Sequence, residues 1–395
     1  MNNKDLEYIF LNINTSTMNI YKKIPTLNTM KQYVNKTKKC GFKFDEGIGK
    51  GNQKTLTLKR LDETIIGEVK DMKYPNNSQE SLEFVRDKIT TEKLLILSGI
   101  NTTNSKVYNE NEMDQAKSDF YNEKNKLAVI KPTNMSQGKG VNVGINEFDF
   151  EYYWLDTISQ IKVAGRKNVN VILQDYIEGF EARAVVIEGK LISIVARVPA
   201  YVVGNGKDTI SSLVNQKNNK RKRCAHLMKR PIELDKKKIN FIENYGMDIA
   251  SVPEKGQYIL LSSISNISNG GEMIDITDAV SDEIKSIAIN SVAAIPGMYS
   301  GGVDIMMKDF EDANPRIIEI NAWPMLQSTI YPTYGKAYDP QGYFLNSFYA
   351  MDQFINEPEQ LYNIDNKDTY IRNFMKFQNL KIRLQGLQIT NSLNL

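Results

Sequence analysis

Three oxygen-bearing side chains lie on two segments that read as neighbouring strands. Glu319 and Asn321 are two residues apart in RIIEINAW, so both side chains leave a strand by the same face. Asp304 lies in GGVDIMMKDF, which should pair with that segment as a hairpin. Mg²⁺ uses such carboxylate and amide oxygens when phosphate oxygens and water complete its shell. Acidic residues on a solvent-facing sheet are the alternative, and the enclosing apolar residues favour the metal site.

A glycine-rich turn, NMSQGKGVNVG, follows directly on the strand segment LAVIKP. Successive backbone N–H groups in such a turn can bind phosphate oxygens, and Lys131 at the strand end can add a positive charge. A plain flexible turn is the simpler interpretation of this motif when it is taken by itself.

A third motif, QDYIEGFEARAVV, combines a strand end, a tight glycine turn and a new strand. The turn would expose backbone N–H and C=O groups to the edge of an adenine ring. Glu181 and Arg183 share one face of the second strand, and a carboxylate there can accept hydrogen bonds from ribose hydroxyls. An ordinary hairpin is the alternative for the motif in isolation.

The composition excludes several classes of protein and site. The chain has 395 residues, 41% of them hydrophobic, which indicates a globular protein of two or three lobes. No uncharged apolar run is long enough to cross a bilayer, and the N-terminus lacks the features of a signal peptide, so we expect a cytoplasmic protein. A single histidine, His226, and two distant cysteines exclude a multi-histidine centre and a disulfide framework.

The net charge of +3 is too balanced for a surface that binds nucleic acid throughout. Residues 215–240 are the local exception, with seven Lys and three Arg against Glu233 and Asp235. This basic stretch predicts either a solvated face or a rim that attracts an anionic substrate. A nucleic-acid surface is disfavoured, because aromatic residues for base stacking are not interleaved there.

The opening of the chain reads as a small unit. YIFLNIN predicts a strand, LNTMKQYVNKTKKCGF predicts a helix that ends before Gly41, and TLTLKRLDETIIGEV predicts a hairpin. GIGKGNQK predicts a flexible turn rather than a phosphate-binding loop, because Gln53 stands where a Walker loop requires glycine.

Helices and strands are mixed along the rest of the chain, which predicts an α/β or α+β fold. Helices are expected from Ser81 to Gly99, at about 147–164 and at 281–294. Three strands are expected from NVILQDYIEG to ARVPAYVVG. The last 60 residues predict a helix, FLNSFYAMDQFI, followed by a polar tail with a poorly ordered, Asn-rich end.

These motifs together resemble the ATP-grasp superfamily of carboxylate–amine ligases over about residues 86–330. Within it, ARVPAYVVGNGKDTISSLV is similar to the ATP-grasp modules of cyanophycin synthetases and bifunctional glutathione synthetases, and more distantly to D-alanine:D-alanine ligases. The resemblance implies three lobes with ATP held between two α+β subdomains. The expected divisions are 1–85, 86–170, 171–335 and 336–395.

The resemblance implies amide or peptide bond formation through an acyl phosphate, with ATP and Mg²⁺, or Mn²⁺, as cofactors. The other partners would be small-molecule or peptide carboxylates and amines, with no nucleic acid and no membrane, and a homodimer is compatible with the likeness. An ATP-binding scaffold or regulator without ligase activity is the alternative. By motif, the implied site residues are as follows: Lys88, Lys131, Gln137, Gly138 and Gly140 for the ATP phosphates; Gln174, Asp175, Tyr176 and Ile177 for the adenine; Glu181 for the ribose; Met306 as a wall for the base; Asp304, Glu319 and Asn321 for the metal; Arg197, with Lys131, for catalysis at the acyl phosphate or substrate carboxylate; and Arg183, Asn218 and Arg221 for the substrate.

Two positions depart from the related patterns. D-alanine:D-alanine ligases place an arginine two residues before the first metal carboxylate, where this chain has Gly302. Related modules often follow the metal asparagine with Pro-Gly, whereas Asn321 is followed here by Ala322 and Trp323. The amine side of the pocket is therefore expected to be unusual. No general base is evident, so a substrate or phosphate oxygen is expected to accept the amine proton.

Overall fold

The computed structural model describes residues 1–21, 28–70, 74–122, 126–133, 135, 139–224, 227–356 and 364–393. Within that part of the chain, every named pair of strands is antiparallel. The expectation of an α/β or α+β chain is therefore confirmed in its α+β form. No helix of the described ranges is long and apolar enough to cross a membrane.

The N-terminal part contains a three-stranded sheet beside one amphipathic helix. The predicted helix and hairpin are confirmed, and Gly41 ends the helix in the left-handed conformation with φ 76°. An additional strand precedes the hairpin and lies at the edge of the sheet, and GIGKGNQK connects it to the next strand. The elements are α1 (Asn3–Asn12), α2 (Thr29–Cys40), β1 (Lys43–Ile48), β2 (Lys54–Lys59) and β3 (Ile65–Lys70).

The predicted strand YIFLNIN is wrong, because its first five residues belong to helix α1 and the other two follow the helix. The Asn2 side chain accepts hydrogen bonds from Lys4 N and Asp5 N at 2.8 and 3.0 Å, and the Asp5 carboxylate accepts one from Asn2 N at 2.7 Å. This reciprocal cap starts a helix. Leu6 and Ile9 then lie on one buried face, so helical spacing, rather than the aromatic and β-branched composition, decided the local structure.

The middle of the chain forms a four-stranded sheet in the order β4-β7-β5-β6. The helix expected from Ser81 to Gly99 is divided in two, because Asp87 ends the first part and caps the second by accepting from Ile89 N and Thr90 N. The elements are α3 (Gln79–Arg86), α4 (Lys88–Leu97), β4 (Lys106–Asn109), α5 (Met113–Phe120), β5 (Ala128–Pro132), β6 (Asn142–Ile145), α6 (Phe150–Val163) and β7 (Asn170–Asp175).

A five-stranded sheet in the order β12-β9-β8-β13-β14 carries the predicted metal ligands, Glu181 and both predicted site arginines of β8 and β9. Alternate residues of β8 pack in two different cores, because Ala182 and Ala184 face helix α9 while Val185 and Ile187 face the N-terminal sheet. The elements are β8 (Phe180–Ile187), β9 (Lys190–Val198), β10 (Tyr201–Val203), α7 (Ile210–Arg221), α8 (Lys236–Glu243), β11 (Tyr258–Leu260), β12 (Glu272–Asp275), α9 (Asp282–Ala294), β13 (Ser300–Met307), β14 (Arg316–Asn321) and α10 (Gln327–Ile330).

Two helices close the described chain, α11 (Pro340–Asn356) and α12 (Lys367–Ser392). The expected helix is confirmed as α11. The expected polar tail is wrong, because most of it forms α12, which has 26 residues and packs against α4, α9 and α11. The Lys381 ammonium donates to Ile295 O and Met298 O at 2.8 and 2.9 Å, and Gln388 Nε2 donates to Ala294 O at 2.7 Å. These polar side chains satisfy carbonyl groups at and just beyond the C-terminal end of α9.

A buried carboxyl group predicts a pH-dependent stability. Glu188, in the turn between β8 and β9, accepts a hydrogen bond from Asn76, while its Oε2 has no partner among the described residues. Burial raises its pKa from 4.5 to about 7. The folded state therefore holds a proton that the unfolded state releases, so stability is full below pH 4.5 and falls as the pH rises towards about 7.

Glu188→Gln should remove this loss. The pKa difference between 4.5 and about 7 corresponds to about 3 kcal/mol of unfolding free energy. The free energy of unfolding of the variant should therefore exceed that of the wild-type protein by up to about this amount at pH 8 and by little at pH 4.5. Urea unfolding at both pH values measures the difference. Glu243→Gln, at an exposed helix end, is the matched control. Equal effects of Glu188→Gln at the two pH values would contradict the prediction.

Candidate active site

The β13–β14 hairpin brings the predicted metal ligands together. Asp304 and Glu319 are register partners across the two strands, and Asn321 is paired with Gly302 two residues further along. Directly opposed residues share one face of an antiparallel pair, so the three oxygen-bearing side chains lie on the same face. Asp304 is 5% exposed, whereas the Glu319 side chain is 40% exposed and accessible from the cleft.

Arginine side chains on the next two strands of the sheet, β8 and β9, form ion pairs with the carboxylates of this face. Arg183 on β8 forms a two-pronged ion pair with Asp304, in which Nε and Nη2 each lie 2.6 Å from a carboxylate oxygen. Arg197 on β9 donates to Glu181 and lies 3.4 Å from Asp304 Oδ2. Such fork-shaped pairs are the strong form of charge-assisted hydrogen bond.

The two buried carboxylates respond differently to these arginines. Burial acts to raise the pKa of Asp304, but the Arg183 guanidinium, assisted by Arg197, brings it below its usual value. Burial raises the pKa of Glu181 above its usual value even though Arg197 opposes the shift. Asp304 is therefore held as the anion that a metal ligand must be, whereas Glu181 is the more readily protonated of the two.

Two lysines approach the hairpin from elements outside its sheet. Lys88 begins α4, and its Nζ lies 3.8 Å from Glu319 Oε2. Lys131 lies on β5, is 5% exposed, and forms no ion pair within the described ranges. Burial, followed by repulsion from Lys88, lowers its pKa to about 8. A buried ammonium group without a carboxylate partner is suited to an anion that enters the cleft.

The predicted hinge comprises the last two residues of β7 and the two that follow, and it is fixed by hydrogen bonds. Gln174 Nε2 donates to Thr103 Oγ1 and Ser105 Oγ at 2.5 Å. The segment is bound through its backbone as well, because Asp175 N donates to Thr103 O and Tyr176 N to Leu127 O. The Ile177 N–H has no partner among the described residues and remains available to a ligand. The Asp175 carboxylate is turned to Asn104 and Lys126, so only the backbone of this residue is suited to the hinge role.

The remaining nucleotide positions are only partly described. Met306 is the register partner of Glu181 and is partly buried, which places its side chain on the same face as that carboxylate. Gly140 has φ 70°, and a Cβ there would lie 2.8 Å from the Pro132 ring, so this turn requires glycine. Gln137 and Gly138 lie outside the described residues.

Two predicted substrate residues, Asn218 and Arg221, lie apart from this cluster. Asn218 forms a pair of hydrogen bonds with the backbone of Ile232 at 2.8 and 2.9 Å. Arg221 is 1% exposed, with Nη1 2.7 Å from Glu272 and Nη2 2.8 Å from Arg230 O. In this arrangement both side chains hold the basic stretch in place, and their substrate role stays a prediction.

The glycine that departs from the related pattern has a local explanation. A Cβ on Gly302 would lie 2.8 Å from Pro324 Cβ and 3.6 Å from Arg183 Cδ. A side chain at position 302 would therefore clash with the segment after Asn321. Arg183 supplies a guanidinium to Asp304 from the adjacent strand. The resemblance implied a substrate role for Arg183, and its contact with Asp304 was not expected from the sequence.

Comparison with known proteins decides the family. A family model described as an ATP-grasp domain matches residues 85–325, more than half of the chain. The chain belongs to the ATP-grasp family. This range agrees with the extent of the resemblance read from the motifs, and the ATP-grasp fold is confirmed.

Curated relatives include the glutathione biosynthesis bifunctional protein of Clostridium perfringens, which is 32% identical over 259 residues, covering 64% of this chain and 32% of that protein. The cyanophycin synthetase of Trichormus variabilis is 28% identical over 278 residues, covering 69% of this chain and 30% of that protein. A bifunctional glutathione synthetase from Pasteurella multocida has a solved structure that matches with a TM-score of 0.57 and 25% identity, covering 78% of this chain and 42% of that one. The chain spans about a third of the length of these curated relatives.

Proposed function

We propose that this protein is an ATP-dependent ligase that joins a carboxylate to an amine through an acyl phosphate. Its substrates would be amino acids or peptides. The observation that carries the proposal is Lys131, a buried cation without an ion-pair partner in the described part, beside Lys88 and across from Glu319. Phosphoryl transfer needs positioning and neutralisation of charge more than a protein nucleophile. The family membership supports the same reaction class.

The nucleotide would lie between the sheet that carries Lys131 and the sheet that carries Asp304. The two lysines would bind the phosphates, and the free Ile177 N–H would bind the adenine edge. Glu181 would accept hydrogen bonds from the ribose, with Met306 beside the base. In this assignment the glycine turn at Gly140 closes the phosphate end.

The residues present fit a magnesium ion shared with phosphate oxygens. Within the described ranges no group of three or more His, Cys, Asp and Glu side chains could hold a metal alone. Asp304, Glu319 and Asn321 offer two carboxylates and an amide, which suits Mg²⁺ when phosphate and water supply the other ligands. Asn321 Oδ1 accepts one hydrogen bond, from Trp323 N at 2.9 Å, and retains a second lone pair. When bound, the ion would neutralise charge on the phosphates.

The proposed reaction has two steps. A carboxylate oxygen of the first substrate attacks the γ-phosphorus of ATP and releases ADP, which leaves an acyl phosphate. The amine of the second substrate then attacks the acyl carbon, phosphate leaves, and the amine loses a proton to a substrate or phosphate oxygen. Arg197 would bind the developing negative charge. Among the described residues its guanidinium is engaged through Nη1 alone, with Glu181 and Asp304, so its other N–H groups can donate to a ligand.

The test is incubation of the purified protein with ATP, Mg²⁺ and pooled amino acids or peptides, each pool paired with candidate acids. ADP and phosphate release should depend on both substrates, and product mass should equal the two reactants less one water. Measurable ATP binding with no release from any pool would favour the scaffold alternative.

The lowered pKa of Lys131 predicts a pH-dependent affinity for ATP. Its pKa of about 8 means that the ammonium is charged below that pH and loses its proton above it. The affinity should therefore fall by about tenfold between pH 7 and pH 9.5, as one charge-assisted contact is lost. Calorimetric titration with a non-hydrolysable ATP analogue measures this. Lys131→Met should bind weakly at both pH values, and a persistent pH slope in that variant would assign the titration to another group.

A further inference from the structure

An open cavity of about 430 Å³ lies in the N-terminal lobe, outside the cleft described above. It lies between helix α2, the end of strand β1 and the start of β2. Its floor includes Met30, Val34 and Thr55, which are 5%, 8% and 6% exposed. Ile48 stands at its border with 75% of its surface exposed. The site is therefore a groove of mixed polar and apolar lining, with two buried apolar side chains in its floor.

Positive charge borders this groove. Lys31, Lys38 and Lys54 line it together with a single acid, Glu46. The ion pairs of the described residues involve none of the three lysines, whereas Lys36, Lys43 and Lys59 nearby are paired with carboxylates. The ligand that complements the groove is therefore acidic.

The outer edge of β1 offers the backbone groups that an extended ligand requires. In the sheet order β1-β2-β3, β1 is hydrogen-bonded to β2 on one side, and no described strand pairs with its other side. Residues Asp45–Ile48 of this strand are exposed. An unpaired edge beside a lined groove is the arrangement to which extended peptides add as a further strand.

The lobe that contains the groove packs against the sheet that carries Arg183 and Asp304. Val185 and Ile187 pack in the core of the N-terminal sheet, and Arg183 is on the same face of β8. The first residue of α2, Thr29, is hydrogen-bonded to Gln327, six positions after Asn321, at 3.2 Å. A chain bound along β1 would thus be held by the lobe that packs directly against the active-site sheet.

We propose that this groove binds an extended acidic peptide segment, which pairs with the edge of β1 and places its carboxylates near Lys31, Lys38 and Lys54. The proposal rests on the proposed ligase function in one respect, that the bound peptide is part of a substrate. The groove selects by charge and by backbone hydrogen bonding, so it would retain a peptide substrate independently of the nucleotide site.

The experiment measures binding without turnover, by fluorescence anisotropy of labelled octapeptides with the full chain. The probe alternates glutamate and valine. A second peptide replaces valine by proline, which keeps the charge but removes alternate N–H donors and disfavours strand pairing. A third replaces glutamate by lysine. The glutamate–valine probe should bind, and the other two peptides should bind at least about tenfold more weakly.

Matched variants locate the binding site. Lys38→Glu with Lys54→Glu should weaken the glutamate–valine probe by about tenfold or more. Lys167→Glu with Lys376→Glu makes the same charge change at exposed lysines that do not line the groove, one after α6 and one on α12. This pair should change binding by less than about twofold. Binding of a fluorescent ATP analogue should be equal in all of these proteins, which also confirms that they are folded.

Three results would overturn the proposal: no binding of the glutamate–valine probe, equal binding of the proline peptide, or equal losses in the two pairs of variants. The second of these would show attraction of charge without strand pairing. Peptide binding without ADP release from any substrate pool would instead contradict the proposed ligase function and leave the groove proposal standing. The two proposals therefore fail in different measurements.

Discussion

Glu319→Ala should abolish ATP turnover while leaving the fold intact. The side chain is 40% exposed on β14, so its removal creates no core cavity. It supplies one of the two carboxylates proposed for the metal, and loss of several kcal/mol of charge stabilisation corresponds to a fall in rate of about a thousandfold. ADP release at saturating Mg²⁺, alongside the thermal midpoint, measures both parts of the expectation.

Glu311→Ala is the matched control for this variant. Glu311 is an exposed acid in the loop between β13 and β14, outside the strands that carry the proposed metal ligands. It should turn over ATP at the wild-type rate. Turnover by Glu319→Ala equal to that of the control would refute the metal assignment, and a large drop in its thermal midpoint would assign Glu319 a structural role instead.

Arg183→Leu should destabilise the protein by about 3–5 kcal/mol, because it leaves the Asp304 carboxylate buried without its strongest counter-charge. Asp304 is 5% exposed and holds both guanidinium contacts at 2.6 Å. Urea unfolding in the absence of divalent cations measures the loss. Mg²⁺ should restore more stability to this variant than to the wild-type protein, since a cation at Asp304 replaces the missing charge.

The double variant Arg183→Leu with Asp304→Leu separates charge from packing. Removing both partners leaves no isolated charge, so this protein should be more stable than the single variant and indifferent to Mg²⁺. A double variant as unstable as Arg183→Leu would show that the arginine acts through its packed methylene groups. In that case the charge account of the pair is wrong.

The sequence predicted the parts of the site that lie on adjacent strands. Alternation along β13 and β14 placed Asp304 and Glu319 on one face, and the register confirms that they are paired. The contact of Arg183 with Asp304 could not be predicted in the same way. It depends on β8 lying beside β13, more than 100 residues later in the chain, and strand order is set by the tertiary packing of the whole sheet.

The two wrong assignments of secondary structure have separate physical causes. Helix α1 was read as a strand because Tyr8, Ile9 and Phe10 favour strands by composition, whereas the cap formed by Asn2 and Asp5 determined a helix. Helix α12 was read as a tail because two of its buried positions are Lys381 and Gln388. A search for apolar periodicity counts such residues as exposed, although their polar ends are hydrogen-bonded inside the protein.

The attachment of α12 gives the two lysines that are proposed to bind phosphate different mechanical properties. Gln388 and Asn391 donate hydrogen bonds to carbonyl groups in the last turn of α4, and Gln388 also to the last carbonyl of α9. Lys88, at the other end of α4, is thereby fastened to the sheet that carries Glu319, whereas Lys131 belongs to the separate sheet β4-β7-β5-β6. Any hinge motion between the sheets would change the distance between the two lysines and leave that from Lys88 to Glu319 nearly constant. Probes placed on α4 and β5 would therefore report opening of the cleft, and probes on α4 and β14 would serve as the stationary reference.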